Sequence, residues 1–390
     1  MTMKDYQILQ KNYVVNTYVN RQLTLTRGSG VYLFDEKGEK YLDLMSNYGV
    51  SIFGYHHPII TRSIISQLSQ LISLHGSFTN NVRAEASKEL IARCGLMYKQ
   101  IYWSNSGAEA VEAALKFAVL KTEKKKFIVC DHGYHGKTLG ALSATSGEKY
   151  KKPFEPLLWN FVETPFNNVP ALESVIDKNT AGFIVEPIQG EGGIHAADAG
   201  YLSNVRELCT KNNILLIIDE IQTGVGRTGA FLASQKENIS ADIVCLGKGL
   251  AGGIPVGATI VSSEVAAAIP KHIHTSTFGG SPLACAGVLA TLTMLDPERY
   301  AHVQSVGAYF KERLSLLRSN LVLEVRGEGL MLGLSVKEKR NDILKRLQEE
   351  HVLAIPSGDD VVRILPPYLL EKEHVDTAVG ILQKILSEMV

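Results

Sequence analysis

Between about Ile101 and Pro282 the chain repeats one rhythm, a short unbroken aliphatic run followed by a stretch with helical spacing. The runs are Lys126-Phe-Ile-Val-Cys130, Gly182-Phe-Ile-Val-Glu186, Ile214-Leu-Leu-Ile-Ile-Asp219, Asp242-Ile-Val-Cys-Leu246 and Gly257-Ala-Thr-Ile-Val261. Without polar alternation, such runs fit strands covered on both faces. The segments between them, such as Ala108 to Leu120 and Gly200 to Asn212, carry the spacing of covering helices. This is the βαβ pattern of an α/β fold with a mostly parallel sheet and helices on both faces.

The flanks read differently. Gly30 to Asp43 fits a hairpin turning at Lys37-Gly38, and a long helical region is expected from Pro282 to about Asn320. The tail then offers strands at Leu323–Arg326, Leu330–Leu334 and Val361–Leu365, a helix ending near Glu350, and a last helix from Glu371. With 390 residues, at roughly 150 per domain, two domains are expected. The division read here is an N-terminal segment, 1–50, that joins a smaller α+β domain, 286–390, around a large domain, 51–285.

Composition narrows the function classes. Lys plus Arg and Asp plus Glu number 40 each, so the formal net charge is zero. That gives no field to gather nucleic acid or anionic lipid. The five cysteines are widely spaced with no C-x-x-C pair, as in reduced cytosolic proteins. The first twenty residues lack an apolar signal core, and the longest aliphatic run, Ile214 to Ile218, is far below a membrane span. A cytoplasmic location is expected.

In a doubly wound sheet ligands sit beyond the carboxyl ends of the strands. Asp219 closes one aliphatic run, Lys248 follows another between Gly247 and Gly249, and Glu186 and Glu191 bracket Pro-Ile-Gln-Gly after a third. Singly, each reads as a cap, a loop lysine or a solvated glutamate. Together, a strand-end carboxylate and a glycine-flanked amine on neighbouring strands suit pyridoxal 5′-phosphate, which takes a lysine amine and a carboxylate for its ring nitrogen. Asn105-Ser-Gly-Ala-Glu-Ala110, just before a helical stretch, is a phosphate-binding candidate, although an ordinary N-cap has the same signature. Thr275-Ser-Thr-Phe-Gly-Gly280 adds a second hydroxyl and glycine cluster.

Two patterns point elsewhere. Gly224-Val-Gly-Arg-Thr-Gly229 matches G-x-G-x-x-G, but Asp-Glu-Ile-Gln-Thr separates it from its strand, so a nicotinamide site is not expected. Cys130-Asp-His-Gly-Tyr-His135 groups metal-ligand residue types without a second cluster, so no metal is expected. His56-His57-Pro58 reads as a helix-entry turn.

Taken in order, Gly54-Tyr-His-His-Pro58, Asn105 to Ala110, Tyr134-His-Gly-Lys-Thr138, Glu186-Pro-Ile-Gln-Gly-Glu-Gly-Gly193, Asp219-Glu-Ile-Gln-Thr-Gly224, Gly226-Arg-Thr-Gly229, Lys248 and Thr277-Phe-Gly-Gly280 resemble the class III aminotransferases, within them the acetylornithine aminotransferase group. The resemblance runs nearly end to end. It implies pyridoxal-phosphate fold type I and a transaminase, with Lys248 as the Schiff-base lysine and proton shuttle and Asp219 on the pyridine nitrogen. It implies Gln222 on the ring hydroxyl, Ser106, Gly107 and Ala108 at the phosphate, Tyr134 stacked on the ring with His135 beside it, and Thr277 reaching across a homodimer to the partner's phosphate. For substrate it implies Ser276, Lys137, and a Glu191–Arg363 pair that opens for the carboxylate of glutamate or 2-oxoglutarate. The family usually has Arg where Lys137 stands and Asn where Ser281 stands, and Lys lacks the two-pronged geometry of Arg.

Leu23-Thr-Leu-Thr26, Val325 to Gly333 and Val361 to Lys372 further resemble the subgroup acting on lysine or ornithine precursors attached to a small acidic amino-group carrier protein. Carrier-linked lysine and arginine biosynthesis is therefore the expectation, with free N-acetylornithine as the alternative. Another ω-amino-acid aminotransferase, a fold type I aminomutase or decarboxylase, or a non-catalytic binding protein are the more distant ones.

Overall fold

The computed structural model describes residues 5–389. At its centre is a seven-stranded sheet in the order Tyr98–Ser104, Gly257–Ser262, Ile243–Leu246, Leu215–Asp219, Thr180–Val185, Lys126–Cys130 and Asn160–Thr164. All five aliphatic runs are strands of this sheet. Its two outermost strands were not expected, because an edge strand is covered unevenly and its sequence loses the continuous apolar signature. Gly257–Ser262 runs antiparallel to both neighbours, whereas the other adjacent pairs are parallel. The connection 247–256 is shorter than the dozen or so residues that a parallel crossover needs, so the chain returns as a reversed strand.

Helix Gly107–Thr122 lies on this sheet through Ala110, Val111, Ala113, Ala114, Phe117 and Ala118, all buried. Small residues let it approach closely, which brings its first turn to the strand ends. The single helical region expected after Pro282 is two helices, Pro282–Thr293 and Pro297–Ser315. Asp296 caps the second by accepting from Arg299 N, and Pro297 in its first turn cannot continue the preceding helix.

The chain ends meet. Strands Leu25–Ser29, Tyr32–Asp35 and Lys40–Asp43 form a meander whose edge takes in Val352–Leu353, with Val352 opposite Leu42. A second sheet combines Val322–Glu328, Met331–Val336, Val361–Ile364 and Ile355–Ser357. The two short pieces near residue 355 were not foreseen, being too short to show any period.

Gly224 to Gly229 is a structural corner. Arg227, fully buried, donates to Leu330 O and Pro366 O and reaches Ser46 Oγ, while Gly226 and Gly229 hold φ of 91° and 85°. A Cβ at Gly229 would lie 2.3 Å from Gln304 Cγ. Close packing and left-handed backbone explain these glycines without a nucleotide. Among the described residues no helix is long and apolar enough to cross a membrane.

Candidate active site

The carboxyl ends of the parallel strands converge on one crevice, and most of the expected residues stand there. Asp219 ends its strand with a buried carboxylate, to which Ile221 N donates at 3.0 Å and whose Oδ2 lies 2.7 Å from His135 Nδ1. His135 is buried too, and its Nε2 has no partner. The next parallel strand supplies Lys248 from a turn at Gly247, with Lys248 itself at φ 43°. Such a backbone is costly for a side-chain-bearing residue and must be held by its surroundings. Gly249 allows this by packing on Ile52, where a Cβ would come to 2.6 Å. Burial pulls the Lys248 amine below the ordinary lysine range, against the opposing pull of Glu191 and Asp219.

Ser106 caps helix Gly107–Thr122 through Glu109 N, and Glu109 in turn accepts from Asn105 N at 2.7 Å. The N-cap reading is therefore right. It leaves the first two helical N–H groups, those of Gly107 and Ala108, to bind an anion. A Cβ at Gly107 would stand 2.8 Å from the Ile221 side chain, and one at Gly257 would stand 2.1 Å from Ser106 O. This turn is thus pressed against the loop that carries Asp219 and against the reversed strand.

Glu191 sits on a tight hairpin between Ile188–Gln189 and His195–Ala196. Arg363 comes from the far sheet, in strand Val361–Ile364, and is fully buried. Its Nη1 reaches Glu191 Oε1 at 2.6 Å, Gly190 O at 2.9 Å and Gln222 Oε1 at 3.4 Å. Its Nε and Nη2 have no partner. Buried guanidinium N–H groups without acceptors are costly, so the site has unmet demand for an anion.

Tyr134 is held near Glu186 by a backbone contact of 3.4 Å, and burial raises its hydroxyl to about 12. Lys137 is exposed, its Nζ 5.6 Å from the Tyr150 ring centroid, which in turn packs edge-on against Tyr134. Ser276 Oγ is 3.3 Å from Asn105 Nδ2, so that loop touches the Ser106 turn of its own chain. Thr277 is exposed beside it. Ser281 caps helix Pro282–Thr293 through Ala284 N.

The sequence reading missed three contributors. Ser46-Asn47-Tyr48-Gly49 forms a left-handed turn with φ of 39°, 50°, 58° and 87°. It places the Tyr48 ring 5.4 Å from Arg363 Cζ and Gly49 against Lys248 Cδ. Asp43 anchors it by accepting from Met45 N and Ser46 N. Ser357 donates to Gly190 O and accepts from Gly193 N, fixing the Glu191 hairpin. Asn47 and Gly49 after a strand end were the available signal for the turn; a lone serine gave none for the hairpin.

A family profile described as aminotransferase class-III matches residues 13–386. The chain is 40% identical over 380 residues to an acetylornithine aminotransferase of Aquifex aeolicus, covering 96% of this chain and all of that one. It is 41% identical over 355 residues, 91% of this chain and 94% of the other, to a Pyrococcus abyssi protein provisionally named LysW-aminoadipate semialdehyde/glutamate semialdehyde transaminase. Among solved structures, an ornithine aminotransferase from Toxoplasma gondii superposes with a TM-score of 0.95 at 32% identity, covering 100% of this chain and 96% of that one. An acetylornithine aminotransferase from Elizabethkingia anophelis gives 0.89 at 32%, covering 98% of each chain.

Proposed function

The chain belongs to the class III aminotransferases, a pyridoxal-phosphate-dependent family of transaminases with the fold type I architecture, and from that premise we propose which amine it moves and with which residues. The reading is transfer of the terminal amino group between an α-N-blocked ornithine or lysine and 2-oxoglutarate, with glutamate as the other amino acid. The observation that carries it is Arg363, buried, with one nitrogen on Glu191 and two N–H positions unpartnered. With Glu191 in place the guanidinium is neutralised and an ω-amine fits; with Glu191 withdrawn, the fork receives a carboxylate.

The residues present suit the cofactor. Ser106, Gly107 and Ala108 would hold its phosphate at the helix start, Asp219 its ring nitrogen, Gln222 its ring hydroxyl, Tyr134 its face, and Lys248 its aldehyde carbon. Bound there, pyridoxal phosphate supplies the electron sink that lets a proton leave the amine-bearing carbon. Lys248 then holds and moves that proton at Nζ, which the burial-lowered pKa favours. His135 orients the Asp219 carboxylate. We further propose a homodimer in which Thr277 serves the partner's phosphate site.

Two forms of the blocked substrate have separate support. The names of the relatives in Aquifex aeolicus and Elizabethkingia anophelis favour N-acetylornithine. The Pyrococcus abyssi relative and Lys137, exposed beside Tyr150 where the family usually has arginine, favour a carrier-linked semialdehyde, whose carrier would make contacts that a weaker carboxylate reader lacks. A half-reaction assay on the holoenzyme with glutamate, N-acetylornithine, ornithine, lysine and carrier-linked lysine decides. The expected result is rapid amine transfer from glutamate and from an α-blocked diamine, and slow transfer from both free diamines. Free lysine or ornithine outpacing every blocked form would overturn the reading.

Arg363→Lys keeps the charge but loses the fork. KM for glutamate and 2-oxoglutarate should rise about 10- to 100-fold, the cost of losing a charged hydrogen bond, while KM for the ω-amine substrate changes much less. Equal losses for both substrates, measured in separate half-reactions, would remove Arg363 from carboxylate recognition.

A further inference from the structure

Glu186 lies in the crevice, and none of the roles above uses it. Strands Thr180–Val185 and Leu215–Asp219 are parallel and in register, with Val185 opposite Ile218. The next step along both sets Glu186 beside Asp219, roughly one strand spacing of about 4.8 Å away and on the same face. Both are almost fully buried. Two carboxyl groups so placed do not both ionise without strong compensation, and their surroundings are unequal. Asp219 receives His135 Nδ1 at 2.7 Å and Ile221 N at 3.0 Å. Among the described residues Glu186 receives only Tyr134 N, at 3.4 Å.

We infer that Glu186 is a positioning residue that works as an uncharged carboxylic acid, filling the place beside Asp219 so that the negative charge of the crevice floor resides on Asp219 alone. Burial first, and Asp219 second, drive its carboxyl well above the usual range, which agrees with the geometry. The charged or titratable groups that face it are Asp219 on the neighbouring strand, Lys248 and Glu191 on their loops, Tyr134, and the Cys130 thiol on the other flanking strand. Lys248 is the one cation among them, and the charges of Glu191 and Asp219 act on it as well. A neutral Glu186 leaves that amine free of a third anion and leaves Asp219 the only carboxylate offered to a protonated ring nitrogen. The inference rests on the cofactor reading for its purpose, but not for its test.

The sign of the pH effect follows from the raised value. The unfolded chain releases the glutamate proton near its ordinary value, about 4.3, whereas the folded chain keeps it, so wild-type stability falls as pH rises through that window to the raised value. Glu186→Gln fixes the neutral state at nearly equal shape. Melting temperatures of the full-length protein, with and without cofactor, should coincide at pH about 4.5 and separate increasingly toward alkaline pH, the variant melting higher. In the holoenzyme, the variant's pH profile of kcat/KM should extend further on the alkaline side than that of wild type. Infrared spectra of the cofactor-free protein should lose a protonated-carboxyl C=O band in the variant. A melting difference that is flat with pH, or unchanged infrared bands, means that Glu186 is ionised and overturns the proposal. Because both are read without cofactor, that outcome leaves the transaminase reading standing. Glu186→Met, neutral and of similar length, gives the same comparison should glutamine disturb the fold.

Discussion

A chain with alanine at position 248 is expected to lose at least about 10⁴-fold in turnover, the upper range that one positioned acid–base group supplies. The size of the loss follows from the absence of a substitute. Arg363 is also a cation in the crevice, but a guanidinium does not give up its proton. Asp219 is engaged by His135, and Glu191 by Arg363. Lys248 alone combines a titratable amine, a lowered pKa and a position between the Asp219 strand and the Gly49 turn. Glutamate-dependent transfer measures the turnover, and borohydride treatment followed by mass analysis measures the linkage. Cofactor should be fixed to Lys248 in wild type, with no mass added to the variant. Small exogenous amines should return part of the activity, since the fold keeps the space. Turnover of the alanine variant within tenfold of wild type would mean that another group moves the proton.

The parts of this fold legible in the sequence were those fixed by local physics. Strands buried on both faces announce themselves as aliphatic runs, and all five runs are strands at the expected places. Edge strands such as Asn160–Thr164 do not, because half of their side chains meet solvent. The strand-end rule then located Asp219 and Lys248, for parallel strands place their last residues at one rim. The break at Met294–Asp296 was readable from Asp296-Pro297, yet both flanking helices carry enough apolar residues to merge into one by period alone. What no period could show was long-range juxtaposition. Arg363 reaches Glu191 across 172 positions of sequence, Ser357 reaches Gly190 across 167, and only the resemblance paired the first of these. The left-handed turn at Ser46–Gly49 is of the same kind. Its backbone is tolerable because Asp43 holds it locally while Arg227 and Leu365 O hold it from distant segments.

Replacing Asp219 by alanine should remove most of the remaining chemistry, and replacing it by asparagine shows why. Alanine deletes the charge together with the partner of His135, leaving a buried imidazole with neither nitrogen satisfied, so part of its effect, about 1–3 kcal/mol, falls on stability. Asparagine keeps the volume and can still accept from Ile221 N, so its effect isolates the charge. A charge preorganised in a low-dielectric site against a protonated ring nitrogen is comparable with other fixed electrostatic groups, whose removal costs about 10²–10³ in kcat. Both variants should therefore lose at least about 10²-fold in turnover. The alanine variant should also melt earlier and bind cofactor more weakly, and the asparagine variant should melt close to wild type. Titrating cofactor into the stripped protein and measuring melting alongside kcat separates the two effects. If the asparagine variant kept wild-type kcat, then the anion on the crevice floor would have to be Glu186, and the assignment of proton and charge between the two neighbouring carboxyl groups would have to be reversed.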